Sequence, residues 1–164
     1  MVSRLILVLG DQLSLNLSSL READKARDVV VMAEVAQEAE YVRHHPKKIA
    51  LVFVAMRKFA RKLEDDGWSL RYTRLDDPEN AGSLVGELLR RAEETGAGEI
   101  IATEPGEWRL LNTLTHTPIP TRLLSDDRFI ASRKRFEDWA EGRKALRMEY
   151  FYREMRRETG LLME

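Results

Sequence analysis

The sequence predicts an α/β fold built on a parallel sheet of about five strands, with helices on both faces. Two observations predict it: short apolar runs alternate with amphipathic segments, and nearly every run is apolar at consecutive positions. Strands that are apolar throughout are buried on both faces, so helices must cover the sheet above and below. Right-handed crossovers between such strands give a Rossmann-like, doubly wound arrangement.

The first two strands are predicted at residues 4–9 (RLILVL) and 29–33 (VVVMA). Gly10 closes the first run, and the charged Glu34 follows the second. Neither run alternates between apolar and polar residues, which indicates burial on both faces rather than on one.

A long amphipathic helix is predicted after the second strand. Pro46 suits its first turn, where a missing N–H has no cost, and Gly67 stands where a helix stop is expected. Between them, apolar side chains recur every three or four residues and form one stripe. The stripe consists of Ile49, Val52, Phe53, Met56, Phe59, Ala60 and Leu63.

The next part of the chain repeats this alternation. Further strands are predicted at residues 68–72, 99–103 and 119–124. A second amphipathic helix lies between the first two of these, starting near Leu84 and ending before Gly96.

The composition changes after Ser125, where Arg, Lys and aromatic residues become dense. Helical spacing appears over residues 132–139 and again over 148–159. We therefore expect an α/β domain of residues 1–131, followed by a helical, aromatic and basic segment of residues 132–164.

Composition excludes several classes of function. The 164 residues carry 27 Lys and Arg against 28 Asp and Glu, a balance that argues against duplex DNA as the main partner of this chain. There is no cysteine, which excludes disulfides, thiol catalysis and iron–sulfur ligation by this chain. No stretch is long and apolar enough to span a bilayer, so we expect a cytoplasmic protein without a membrane partner.

Candidate ligand-binding residues lie where predicted strands end, because doubly wound sheets bind ligands at that edge. Gly10 permits a close approach of the ligand, and Asp11 and Gln12 offer a carboxylate and an amide to a heteroaromatic ring. The alternative for Asp11 is a turn or helix cap. We expect Asp11 to share this edge with Glu34 and Glu104.

Other site types have little support in the sequence. The segment GDQLSLN lacks the later glycines of a dinucleotide-binding fingerprint, and there is no P-loop. His44 and His45 are adjacent, which favours a solvated pair over metal ligands, so no metal site is expected. A small hydrolase on this fold is disfavoured because no nucleophile elbow is present.

The segment 148–157 interleaves aromatic residues with arginines. Stacking on nucleotides is one interpretation, and packing of an amphipathic helix on a neighbouring domain is the favoured one. The apolar residues grouped here predict a homodimer through the carboxyl-terminal segment, because they would otherwise meet water. They are Tyr150, Phe151, Met155, Leu161 and Leu162.

Five segments together resemble one protein family. The sequence is similar, in order and over essentially its whole length, to the amino-terminal region of deoxyribodipyrimidine photolyase-related proteins, that is, prokaryotic (6-4) photolyases and iron–sulfur bacterial cryptochromes. The segments are LVLGDQLS, AEVAQEAEYVRHHPKKIALVFVAMRKFA, GWSLRYTRLDDPENAGS, TEPGEWR and GRKALRMEYFYREMRRETGLLME.

The resemblance implies an antenna domain that binds 6,7-dimethyl-8-ribityllumazine. It also implies that FAD, a 4Fe-4S cluster and the DNA lesion are bound by a carboxyl-terminal catalytic domain, so this chain alone is expected to lack photolyase (lyase) activity. A free-standing nucleotide- or flavin-binding regulatory module is the alternative. The residues that match the antenna site are Gly10, Asp11, Gln12, Glu34, Glu38, Tyr41, Lys48, Ile49 and Val52.

Overall fold

A computed structural model describes residues 3–40 and 42–163, with the side chains of residues 39 and 40 left aside. The chain divides into two compact units, Met1–Ser125 and Asp126–Glu164. Within the described ranges, no helix is both long and apolar enough to cross a membrane.

The first unit contains a five-stranded sheet in which every neighbouring pair of strands is parallel. The strand order is β3-β2-β1-β4-β5, so the chain moves outward on one side of β1 and then on the other. This confirms the predicted fold class. The strands are β1 (Arg4–Leu7), β2 (Asp28–Ala33), β3 (Leu70–Thr73), β4 (Ile100–Thr103) and β5 (Thr121–Leu124).

In the part of the first unit that the structure describes, five helices accompany these strands. The two one-turn helices were not predicted, because five residues are too few to show a helical period. Conversely, the first strand is shorter than predicted, although Val8 and Leu9 beyond its end stay buried. The helices are α1 (Ser18–Glu22), α2 (Ala36–Glu40), α3 (Pro46–Asp65), α4 (Leu84–Thr95) and α5 (Trp108–Thr115).

Each face of the sheet has its own apolar core. Leu5 and Leu7 of β1 face a core that includes residues of α4 and α5, whereas Ile6 faces a core that includes residues of α1 and α3. Alternation along a strand directs successive side chains to opposite faces, and here both faces are covered. The sequence pattern had predicted this double coverage.

The second unit contains α6 (Arg133–Ala140) and α7 (Met148–Thr159). Phe136, Trp139 and Phe151 form an aromatic cluster with ring centroids 5.1 to 5.6 Å apart. Glu154 accepts hydrogen bonds from Trp139 Nε1 and from Arg143. The sequence predicts that the apolar residues of the carboxyl-terminal segment face water in the chain alone. Tyr150, Leu161 and Leu162 are indeed exposed, whereas Phe151 is buried.

Candidate functional site

A cavity of about 370 Å³ lies in the first unit, at the carboxyl ends of β1, β2 and β4. This is where the strand order changes direction, the usual ligand position in a doubly wound sheet. The loops that follow these three strands all contribute to its wall. The lining residues are Val8, Leu9, Gly10, Asp11, Ala33, Val35, Glu38, His44, Lys48, Ile49, Val52, Phe53, Met56, Leu84, Pro105, Glu107 and Leu110.

Most of the cavity wall is apolar. Helix α3 contributes Val52, Phe53 and Met56 from its predicted stripe, and the starts of α4 and α5 contribute Leu84 and Leu110. Charged side chains are few, as is typical of pockets that bury a flat organic molecule and orient it with a small number of polar groups.

Gly10 allows α3 to pack closely over the turn that follows β1. A Cβ atom at this position would lie 3.0 Å from Met56 Sδ and 3.3 Å from Val52 Cγ1. Any larger residue would therefore displace side chains that line the cavity. Gly10 is thus needed for the width of the site rather than for an unusual backbone conformation.

An ion-pair network links two sides of the site. Arg109 Nη2 lies 2.6 Å from Glu38 Oε2, and Arg109 Nε lies 2.8 Å from Glu107 Oε1. The hydrogen bonds from Arg109 to Glu38 outweigh the effect of burial and raise the pKa of the guanidinium above its usual value. Because Glu38 belongs to α2 and Arg109 to α5, the network ties the loop after β2 to the loop after β4.

Six of the residues predicted for the site line this cavity, and two others lie elsewhere. Gln12 and Glu34 are fully buried and do not contribute to the cavity wall. Tyr41 lies outside the described residues. The six that the structure brings together are Gly10, Asp11, Glu38, Lys48, Ile49 and Val52.

Gln12 connects the turn after β1 to the end of β4. Its amide nitrogen donates to the carbonyl oxygens of Thr103, at 3.1 Å, and Glu104, at 3.2 Å. That nitrogen therefore has backbone partners already, and it holds together the two strands that flank the change of strand order.

Glu34 fixes the end of β2 against α3 and the segment after β3. Its carboxylate accepts hydrogen bonds from Arg57 Nε at 2.6 Å, Tyr72 Oη at 2.6 Å and Leu75 N at 3.1 Å. Burial alone would raise the pKa of Glu34, but these hydrogen bonds outweigh it and the pKa lies below its usual value. Glu34 is thus a charged structural clamp.

Several lining residues were not among the predicted site residues. Phe53 and Met56 belong to the predicted stripe of α3, and Leu84 and Leu110 lie in the first turns of the helices that follow β3 and β4. First-turn residues of such helices lie near the carboxyl edge of the sheet, and this rule would have found them. Glu107 lies in the loop after β4, and the rule that such loops meet the carboxyl edge of the sheet indicates it as well.

The fold and the cavity define a Rossmann-like α/β domain with an apolar cavity at the carboxyl edge of its sheet. The chain belongs to the family of deoxyribodipyrimidine photo-lyase-related proteins, whose sequence profile matches residues 6–164. It is also 50% identical over 166 residues to a (6-4) photolyase of Agrobacterium fabrum (strain C58 / ATCC 33970), with 99% of this chain covered. The chain spans 33% of the length of that relative.

Proposed function

We propose that this chain is the antenna domain of a photolyase-related protein and that its cavity holds a ribityllumazine. The carrying observation is an apolar cavity at the change of strand order, and its lining includes six of the residues that the resemblance assigns to the antenna site. Its volume of about 370 Å³ is near the lower end of the range for small-molecule pockets. That size suits a bicyclic ring and is small for a dinucleotide.

The residues present fit such a ligand. Val52, Phe53 and Met56 supply apolar surface for a flat ring, and the Met56 thioether favours contact with aromatic edges. Asp11 and Lys48 provide an acceptor and a donor for the polar ring edge and the ribityl hydroxyls. The bound chromophore would supply light absorption, and the protein would hold it in one orientation.

The repair chemistry belongs, in this proposal, to a carboxyl-terminal catalytic region that this chain does not span. FAD, a 4Fe-4S cluster and the DNA lesion are assigned to that region, as in a light-dependent repair enzyme or a cryptochrome. The lack of cysteine in this chain and the threefold greater length of the relative support the division. A cytoplasmic location stays a prediction.

The exposed apolar residues of the second unit support a contact surface. We assign the surface that includes Tyr150, Leu161 and Leu162 to the catalytic region in a longer protein. For the chain alone we keep the prediction of a homodimer through the same residues, since apolar side chains that lack their partner favour self-association. Sedimentation over a concentration series measures it, and a strict monomer would contradict it.

The site is tested by titrating the chain with 6,7-dimethyl-8-ribityllumazine and following the emission of the ligand. Val52→Trp should weaken binding at least tenfold, because the larger side chain fills the cavity. Val54→Trp is the matched control: it lies two residues away on the same helix, is 51% exposed and does not line the cavity. No binding by the native chain, or equal binding by both variants, would refute the proposal.

A further inference from the structure

Several helices begin beside the cavity, so their N-terminal N–H groups lie near any bound ligand. Rossmann-like proteins commonly bind phosphate groups at this sheet edge, using free N–H groups at the start of a helix. Besides the one-turn helix α2, which contributes Glu38, three helices contribute residues to the cavity from their first turns: α3, α4 and α5. The availability of their N–H groups, together with the charges beside them, decides whether a phosphate ester has a place to bind.

The start of α3 has no free backbone N–H to offer a phosphate. Pro46 lacks an N–H, and the backbone N–H of Lys47 donates to His45 Nδ1 at 3.1 Å. The N–H groups of Lys48 and Ile49 both donate to the carbonyl oxygen of His45, at 2.8 and 3.3 Å. The positive end of this helix is therefore closed by its own cap.

The start of α4 is closed in a similar way. Gly86 N donates to Ser83 Oγ at 3.1 Å, and Glu87 N donates to the carbonyl oxygen of Ser83 at 3.0 Å. The fully buried carboxylate of Glu87 lies in the same first turn and accepts a hydrogen bond from Ala81 N at 2.7 Å. A carboxylate thus already occupies the position that favours negative charge.

The charges that line the cavity also disfavour an anion. Asp11, Glu38 and Glu107 contribute three carboxylates. Glu107 stands at the N-cap of α5, where its side chain makes no capping hydrogen bond, so at this helix start the negative charge of Glu107, and not a closed cap, disfavours an anion. Among the described residues that line the cavity, Lys48 supplies the single ammonium or guanidinium group. The neighbouring Arg109 is held by Glu38 and Glu107. Even with Arg109 counted, three carboxylates face two cations, so a phosphate dianion would meet net negative charge.

We propose that this cavity selects an uncharged ligand, accepting a heteroaromatic ring with a free ribityl chain and rejecting the same molecule as its 5′-phosphate ester. This inference rests on the proposed antenna site and adds the ligand class: dephosphorylated ribityl compounds, and not flavin nucleotides or other phosphate esters. The carboxylates of Asp11, Glu38 and Glu107 are the residues that determine this specificity.

The test compares 6,7-dimethyl-8-ribityllumazine with its 5′-phosphate ester, each titrated into the native chain and followed by ligand emission. At low salt the ester should bind at least tenfold more weakly. The ratio of the two affinities should fall below about threefold in the double variant Asp11→Asn/Glu38→Gln, because two repelling charges are gone. Glu93→Gln, an exposed acid far along α4, should leave the ratio unchanged.

A second measurement needs no variant. Raising the salt concentration should narrow the ratio for the native chain, since ions screen repulsion at a solvent-accessible mouth. Equal binding of ester and alcohol would overturn the inference while the antenna site stands. The inference would also be overturned if the affinity ratio changed neither with salt nor in the double variant, because the carboxylates would then not determine the ratio. If neither compound binds, it is the antenna site itself that fails.

Discussion

Glu34 and Glu38 lie four residues apart at the carboxyl edge of the sheet, yet their surroundings differ sharply. Glu34 is fully buried, and its carboxylate is held by Arg57, Tyr72 and the backbone of Leu75. Glu38 is partly exposed, lines the cavity and pairs with Arg109. An acidic residue after a strand therefore does not by itself mark a ligand site. The number of hydrogen bonds that the protein already makes to it is what separates the two.

The largest loss of stability is expected for the variant Glu34→Ala. Removing this carboxylate leaves Tyr72 and the N–H of Leu75 without their acceptor, which costs about 1–3 kcal/mol of unfolding free energy, and the half-exposed Arg57 can still be solvated. Glu38→Ala should cost less than about 1 kcal/mol, since its ion pair is partly solvated. Chemical denaturation of both variants measures the contrast. Equal losses would abolish the distinction drawn between the two residues.

A smaller loss of stability is expected when the pH is lowered. Glu34 and Glu87 are buried, and hydrogen bonds hold the pKa of each below its usual value of 4.5 despite burial. Protonation of these carboxylates therefore favours the unfolded chain. Their contribution to stability is complete above about pH 4.5, the usual pKa of glutamate, and is lost as the pH falls through their lowered pKa values in the folded chain. Denaturation midpoints between pH 7 and pH 3 measure this loss. In Glu34→Gln the denaturation midpoint should fall less steeply with decreasing pH than in the native chain. An equally steep fall would assign the loss of stability to other groups.

The smallest effect on stability is expected for Gly10→Ala. The new Cβ would meet Met56 Sδ, the movable part of a flexible side chain, so the cost should be about 1 kcal/mol. Affinity for ribityllumazine should nevertheless fall several-fold, because Met56 lines the cavity. Gly98→Ala is the control, since its Cβ would meet nothing within 4 Å. Unchanged affinity in Gly10→Ala would show that this turn does not set the width of the site.

The sequence was informative where local pattern decides the structure. Consecutive apolar residues predicted the buried parallel strands, and the stripe between Pro46 and Gly67 predicted α3. Helices α1 and α2 were missed because one turn carries no period. The surroundings of Glu34 could not be predicted either, because Arg57, Tyr72 and Leu75 are brought to it by tertiary packing.

The central position of β1 has a consequence for synthesis. This strand leaves the ribosome before its partners and pairs with β2, but Leu5 also pairs with Ile100 of β4, about 95 residues later in the chain. At translation rates of about 5–20 residues per second, one edge of β1 waits roughly 5–20 s for its second partner. The nascent chain therefore carries an apolar strand edge that must be kept from other chains, and the cavity is completed only after that wait.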